Sequence, residues 1–324
     1  MITYGLDAPF NLGAMEIGVF LSLALFGVVA FQGFVYFRDC SSDRMGLKLL
    51  VASVLVFELC HSVASSHAIY YFTVVLAGVP ELSKPANSYS LSLLPVFETL
   101  ITALVQGFFA YRIWLLSGRI YITLLCWVLG FLRFVGGMAV AAEGFIDIPL
   151  EPDYFHLQDT YGWLITASLN VGAALDVLIA VSLCFYIRQM YTPYNLPRGE
   201  QLLNRLITWT IQTGLITSVT SVTVVIAFQT MTHNFIWLAL YTFLAKLYSN
   251  SLLVSLNSRP QHRALVRAPS PKTWDATPPR TPNLTIQITR TVEDDTHTLV
   301  DSTGASHLRV PEKVVYNHAS YNSV

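Results

Sequence analysis

Six polar side chains lie within stretches of sequence that are otherwise almost wholly apolar. They are two carboxylates, two bases, a histidine and an amide: Glu58, Asp176, Arg133, Lys246, His61 and Asn250. Carboxylates placed beside a lysine or a histidine can relay protons or bind a ligand, and they can also form buried ion pairs. Each role requires neighbouring charges, because an isolated charge in an apolar environment is very unfavourable.

A second polar face is formed by Glu98, Thr102 and Gln106, which follow one another at intervals of four residues. That spacing places all three on one side of a helix. Glu98 is predicted to lie near the outer end of this helix, where a ligand from outside could reach it. The three residues are therefore our candidate ligand contacts, and simple solvation of Glu98 at the interface is the alternative.

Lys246, midway along the last apolar stretch, raises the question of a retinal Schiff base. That chemistry requires a facing carboxylate and an aromatic cage, but the third stretch has no Asp and Trp209 of the sixth lies at a different depth. An ion pair with Glu58 or Asp176 is the favoured interpretation, and we expect no cofactor. We expect neither enzyme activity nor a metal site, because no HExxH or GxSxG pattern and no acidic metal cluster occurs.

The composition identifies the solvent that surrounds these residues. The chain has 324 residues, of which 53% are hydrophobic and 12% charged, about half the charged share of a soluble domain. Mean hydropathy is +0.52. With a net charge of −1, the chain has no excess of positive charge with which to bind nucleic acid. Such a chain needs a bilayer, so membrane lipids are its first expected partners.

Seven stretches are long enough to cross a bilayer as helices, which takes about 20 mostly apolar residues. The predicted fold class is therefore all-α, a polytopic seven-helix bundle over residues 1–258. The predicted spans are about 14–37, 47–76, 93–116, 120–143, 161–187, 205–231 and 235–256.

Lys and Arg residues alternate between the breaks that separate these spans. One set of breaks and the start of the tail hold Arg38, Arg44, Lys48, Arg112, Arg119, Arg188, Arg198, Arg205, Arg259, Arg263, Arg267 and Lys272. The opposite set holds Lys84 alone. Because positive residues collect on the cytosolic side, the N-terminus is predicted outside and the C-terminus in the cytosol.

The polar residues within the spans are predicted to share a depth. Counting about 1.5 Å per residue from the inner ends places Glu58, His61, Arg133, Asp176 and Lys246 about 15 to 21 Å deep. Two acids and two bases would then cancel in charge. The layer either holds the helices together by hydrogen bonds or forms a binding site or proton path.

Residues 259–324 are predicted to form a disordered cytosolic tail, because the composition turns to Pro, Ser, Thr and scattered charge. Arg259, Arg263 and Arg267 are spaced as in a short helix lying on anionic lipid. Proline follows the three candidate phosphorylation sites, Ser270, Thr277 and Thr281.

Four segments resemble a large family of seven-span proteins from mushroom-forming (basidiomycete) fungi, which is catalogued only as a domain of unknown function. They are Ser42–Leu50, Phe109–Trp114, Arg205–Leu215 and Asn234–Arg259, the last being the most specific and including Ala245-Lys-Leu-Tyr-Ser-Asn-Ser-Leu-Leu253. The likeness covers about residues 14–259. It implies seven helices and brings no assigned activity.

A looser likeness, in topology alone, is to G-protein-coupled receptors. The third span ends in Ala110–Arg112 instead of Asp-Arg-Tyr, and no proline follows Ser249–Ser251 in the seventh. The four cysteines do not include the pair that rhodopsin-like receptors use between span three and an outer loop: Cys40, Cys60, Cys126 and Cys184.

The expected function is that of a receptor-like sensor without enzyme activity, in the plasma membrane rather than an internal one. A small-molecule or peptide ligand would enter past Glu98, and a cytosolic signalling protein would read the inner loops and the tail. The alternatives are a secondary transporter or proton-coupled carrier, with Glu58, His61, Asp176 and Lys246 as its relay, and a scaffold acting through its tail.

Overall fold

Seven helices and short connections make up the described part of the chain. The computed structural model describes residues 8–75, 88–149, 154–189, 197–231 and 234–267. The helices are α1 (Ala8–Asp39), α2 (Met45–Tyr70), α3 (Tyr89–Ser117), α4 (Ile120–Asp147), α5 (Tyr154–Gln189), α6 (Pro197–Thr230) and α7 (Ile236–Arg267). A π-helical segment, Tyr71–Val75, continues α2. The described residues belong to one unit, Met1–Pro269, so Ser270, Thr277 and Thr281 lie outside them.

Five of the helices are long and apolar enough to cross a membrane: Leu12–Asp39, Met45–Val75, Tyr89–Ser117, Ile120–Asp147 and Phe155–Gln189. In α6, Gly214–Thr230 is a shorter apolar segment. Polar residues such as Lys246 and Asn250 lower the hydropathy of α7. The prediction of an all-helical, multi-pass membrane protein is confirmed at this level.

The helices extend beyond several of the predicted spans. α3 begins at Tyr89 because the side chain of Ser88 accepts a hydrogen bond from the backbone N–H of Leu91 at 3.2 Å. It ends at Gly118, whose φ of 63° is in the left-handed region. α7 continues to Arg267, so the basic segment from Arg259 is the end of α7. Hydropathy detects only the apolar middle of a helix, whereas the backbone hydrogen bonds continue into the polar margins.

Consecutive helices pack against each other, and α1 closes the ring by packing along α7. Inside this ring α3 also contacts α5 and α7, and α2 contacts α7. Large apolar side chains face outward, with Phe31 67% and Phe131 69% exposed. Polar side chains such as Glu58 and Lys246 are fully buried. This arrangement of apolar exterior and polar interior suits a lipid solvent.

α1 approaches α7 closely at Gly18, where a Cβ would lie 2.7 Å from the Cβ of Ala239 and 2.8 Å from its Cα. We expect Gly18→Ala to destabilise the protein by about 1–3 kcal/mol, because a backbone must shift. Gly27→Ala is the matched control on the same helix, with nothing within 4 Å of the new Cβ. It should be neutral or stabilising by up to about 1 kcal/mol. Equal melting temperatures for the two variants in nanodiscs would contradict this packing.

Candidate functional site

The first of two polar clusters joins α2 to α7 through Lys246 and Glu58. The ammonium of Lys246 donates to the Glu58 carboxylate, to the Glu58 backbone carbonyl at 3.2 Å and to Ser62 Oγ at 2.8 Å. Ser249 Oγ donates to the second carboxylate oxygen of Glu58 at 2.5 Å. Both charged side chains are fully buried. Since an ammonium has three protons, all of its donors have acceptors here.

The second cluster, which we call the Arg133 network, joins α3, α4, α5 and α7. The guanidinium of Arg133 donates to Glu98 Oε1 at 3.0 Å and to the Tyr248 hydroxyl at 3.1 Å. Its Nη1 is 4.0 Å from Asp176 Oδ2. Gly172 makes room for the guanidinium, since a Cβ there would lie 2.9 Å from Arg133 Cζ. One arginine therefore faces two carboxylates.

Each carboxylate of the network also accepts a hydrogen bond from a tyrosine of α7. Tyr241 donates to Glu98 Oε2 at 2.5 Å, and Tyr248 donates to Asp176 Oδ2. Gln106 Nε2 donates to Asp176 Oδ1 at 2.8 Å. Sequence reasoning missed the two tyrosines, although their spacing of seven residues places them on one face of α7 and was a usable signal.

The side chains of the remaining sequence candidates make no hydrogen bond to the charged side chains of these two clusters. Asn250 accepts from Gln32 of α1 at 2.6 Å. The hydroxyl of Thr102 donates to the backbone carbonyl of Glu98 at 2.9 Å. His61 is fully buried, and neither ring nitrogen has a hydrogen-bond partner. Sequence depth had placed Glu58, His61, Arg133, Asp176 and Lys246 in one layer, but helix packing divides its charged groups between two clusters.

Glu98 lies deeper than its sequence position indicated, with only 1% of the residue exposed. α3 begins four residues before the predicted start of its span, which moves the outer end away from Glu98. A ligand at the surface would not touch Glu98 directly. The expected cancellation of charge also fails, because Glu98 adds a third carboxylate to Glu58 and Asp176, against Lys246 and Arg133.

Two cavities border the Arg133 network from opposite ends of the bundle. We call the end where α3, α5 and α7 begin the upper end. The upper cavity, about 60 Å³, is lined by residues that include Ser92, Ser168, Trp237 and Tyr241. The lower cavity, about 30 Å³, is lined by residues that include Gln106, Asp176 and Tyr248. Since one water needs about 10–15 Å³, each could hold water.

Metal ligation has no support among the residues that the structure describes. No group of three or more His, Cys, Asp or Glu side chains in them could hold a metal ion. The two clusters link helices through buried charges and hydrogen bonds.

One comparison with known proteins finds a match, which runs from the middle of α5 through α6 into α7. Residues 172–261 match the model of a family of unknown function, DUF6534. The match covers less than half of the chain and includes Asp176, Lys246 and Tyr248. The resemblance to an uncharacterised family is confirmed to that extent. No curated protein and no solved structure matches the chain.

Proposed function

We propose that this protein is a receptor-like membrane sensor whose ligand acts on the Arg133 network from the upper cavity. In this proposal all seven helices cross the plasma membrane, with the upper end outside and the C-terminus in the cytosol. The alternation of Lys and Arg between the breaks supports this orientation.

The observation that carries the proposal is the position of Tyr241. This residue lines the upper cavity and also donates a hydrogen bond to Glu98. A molecule in the cavity can therefore change the network without touching a carboxylate. At about 60 Å³ the cavity is well below the roughly 150 Å³ that accommodates benzene in another protein. A larger ligand would have to move α3, α4, α5 and α7 apart.

α7 offers a physical route from this cavity to the lower end, because it makes polar contacts with other helices and a loop from Tyr241 to Arg259. These contacts join Tyr241 to Glu98, Lys246 to Glu58, Tyr248 to Asp176, Asn250 to Gln32, Ser255 to Arg112, and Arg259 to Asp43. A shift of α7 would change several of them together. A cytosolic signalling protein would respond to that change.

Two resemblances add weaker support to this proposal. Membership of the fungal seven-span family would agree with seven crossings, and the likeness to G-protein-coupled receptors is one of topology alone. A scaffold that acts only through its tail would leave the buried charges without a role beyond packing.

The proposal is tested with a thermal-shift screen in nanodiscs against lipids, sterols, peptides and metabolites. A compound that binds in the upper cavity should stabilise the wild type by about 2.7 kcal/mol at a concentration of 100 Kd. Val140→Phe, which fills the cavity, should abolish this shift. Val135→Phe is the matched control, since Val135 of the same helix is 46% exposed on the outer surface. Equal shifts in the two variants would place the ligand elsewhere.

A proton-coupled carrier is the second candidate, and the lower cavity is the observation that favours it. Asp176 and Tyr248 border that cavity, so the network can be approached from both ends. Truncation after Pro269 separates the two candidates. A sensor should keep ligand binding but lose its cellular response, whereas a carrier should still move the screened compound into liposomes.

A further inference from the structure

The Arg133 network has an excess of negative charge if each of its groups has its usual ionisation state. Glu98 and Asp176 are 1% and 5% exposed, and Arg133 is 6% exposed. Two carboxylates and one guanidinium give a net charge of −1. A buried, uncompensated charge in a membrane protein costs several kcal/mol. Something must neutralise it.

Other ionisable side chains of the described structure do not supply the missing positive charge. Lys246 is paired with Glu58. A protonated His61 would bury two unsatisfied N–H donors, and its ring already experiences the positive charge of Lys246. The described side chains of α6, from Gly214 onward, include no ionisable group.

The other ionisable groups on the helices packed around the network lie towards the helix ends, away from Glu98 and Asp176. Apart from tyrosines and cysteines they are Lys48 and His67 on α2, Arg112 on α3, Glu143 and Asp147 on α4, His156, Asp159 and Arg188 on α5, and Arg259 on α7. Arg112 donates to Ser255, and Arg259 pairs with Asp43. These groups leave the charge of the network uncompensated.

We propose that the Arg133 network binds one exchangeable proton, shared between Glu98 and Asp176, in the resting protein. One carboxylate then becomes a carboxylic acid, and the other forms a neutral pair with Arg133. This inference goes beyond the proposed function, because it holds for a sensor and for a carrier alike.

The hydrogen bonds of the network can accommodate this proton on either acid. A tyrosine hydroxyl both donates and accepts, so the Tyr241–Glu98 bond can reverse its direction when Glu98 is protonated. The Tyr248–Asp176 bond can do the same. Arg133 keeps a carboxylate partner on whichever side remains ionised.

A metal cation would fit this place less well than a proton. Donors already engage both oxygens of Glu98 and both of Asp176. A cation would need several free oxygen ligands. Water in the upper cavity can exchange a proton through Tyr241, and water in the lower cavity can do so through Tyr248.

Infrared spectroscopy of the protein in nanodiscs tests this proposal through the carbonyl band of a protonated carboxyl group and its shift in D₂O. From about pH 6.5 to pH 8, where ordinary Asp and Glu are ionised, the wild type should show a band equivalent to about one carboxyl. Glu98→Gln should remove the band, and Asp176→Asn should remove it too. In each variant a single carboxylate pairs with Arg133, so the network is neutral without a bound proton. Asp39→Asn is the control, since Asp39 pairs with Arg38 on the exposed surface, and it should keep the band.

Two results would overturn the proposal. The first is a wild type without the band at about pH 6.5, a measurement that needs no variant to fold. The second is a band that survives in both Glu98→Gln and Asp176→Asn. Sodium-dependent stabilisation of the wild type without the band would assign the site to a cation.

Discussion

Arg133→Met is expected to destabilise the protein by about 3–5 kcal/mol, among the largest effects of any single substitution in the chain. Methionine fills much of the same space, so loss of volume is a minor part of the change. The main cost is that Glu98 and Asp176 lose the one cationic partner they have among the described residues while they remain buried. Thermal unfolding in nanodiscs measures the effect as a fall in Tm.

The companion variants separate this charge effect from a packing effect. Adding Glu98→Gln and Asp176→Asn to Arg133→Met should restore most of the lost stability, because no buried charge is then left without a partner. Arg119→Met changes an exposed residue at the start of the same helix and should shift stability by less than about 0.5 kcal/mol. If the triple variant is no more stable than Arg133→Met alone, packing rather than charge determines the loss.

Lys246→Met is expected to cost a similar amount, about 3–5 kcal/mol, because it leaves Glu58 buried without its ammonium partner. Glu58→Gln alone should be destabilising as well, since the ammonium then lacks a counter-charge. The double variant Glu58→Gln/Lys246→Met should be more stable than either single variant.

A double-mutant cycle on these two residues measures their coupling directly. We expect a favourable coupling of more than about 1 kcal/mol, since buried partners in one network couple by about 0.5–3 kcal/mol. Lys48→Met is a control for the loss of a positive charge, as Lys48 donates to the Ser41 carbonyl at an exposed site. Additive losses at Glu58 and Lys246 would mean that the two side chains do not stabilise each other in the folded protein.

The sequence was sufficient to predict an all-helical membrane protein and to identify most of its buried charged residues. Long apolar stretches predict helices because the bilayer leaves backbone polar groups no partner outside the helix. A charged residue within such a stretch is expected to face the bundle interior. Glu58, Arg133, Asp176 and Lys246 were found in this way, and each is buried and paired in the structure.

The pairing itself could not be predicted, because it depends on the order and rotation of the helices. Sequence depth placed the acids and bases at one level, and Lys246 had two acidic candidates there. Because α2 packs against α7, Lys246 pairs with Glu58 rather than Asp176. Because α4 packs between α3 and α5, Arg133 pairs with Glu98 and Asp176. An ion pair needs contact within about 4 Å, and span boundaries uncertain by a few residues cannot resolve that distance.

The residues that connect the Arg133 network to the cavities were missed for a different physical reason. Tyr241 and Tyr248 belong to a residue type that is common in any membrane helix, so nothing in their identity indicates a hydrogen bond to a carboxylate. Glu98 looked like an interfacial acid because hydropathy underestimated the length of α3. The sequence by itself determined which charged residues lie within the apolar stretches. The tertiary structure decided which of them meet: in the described part of the chain three buried acids face two bases, and this excess of acid emerges only when the partners are known.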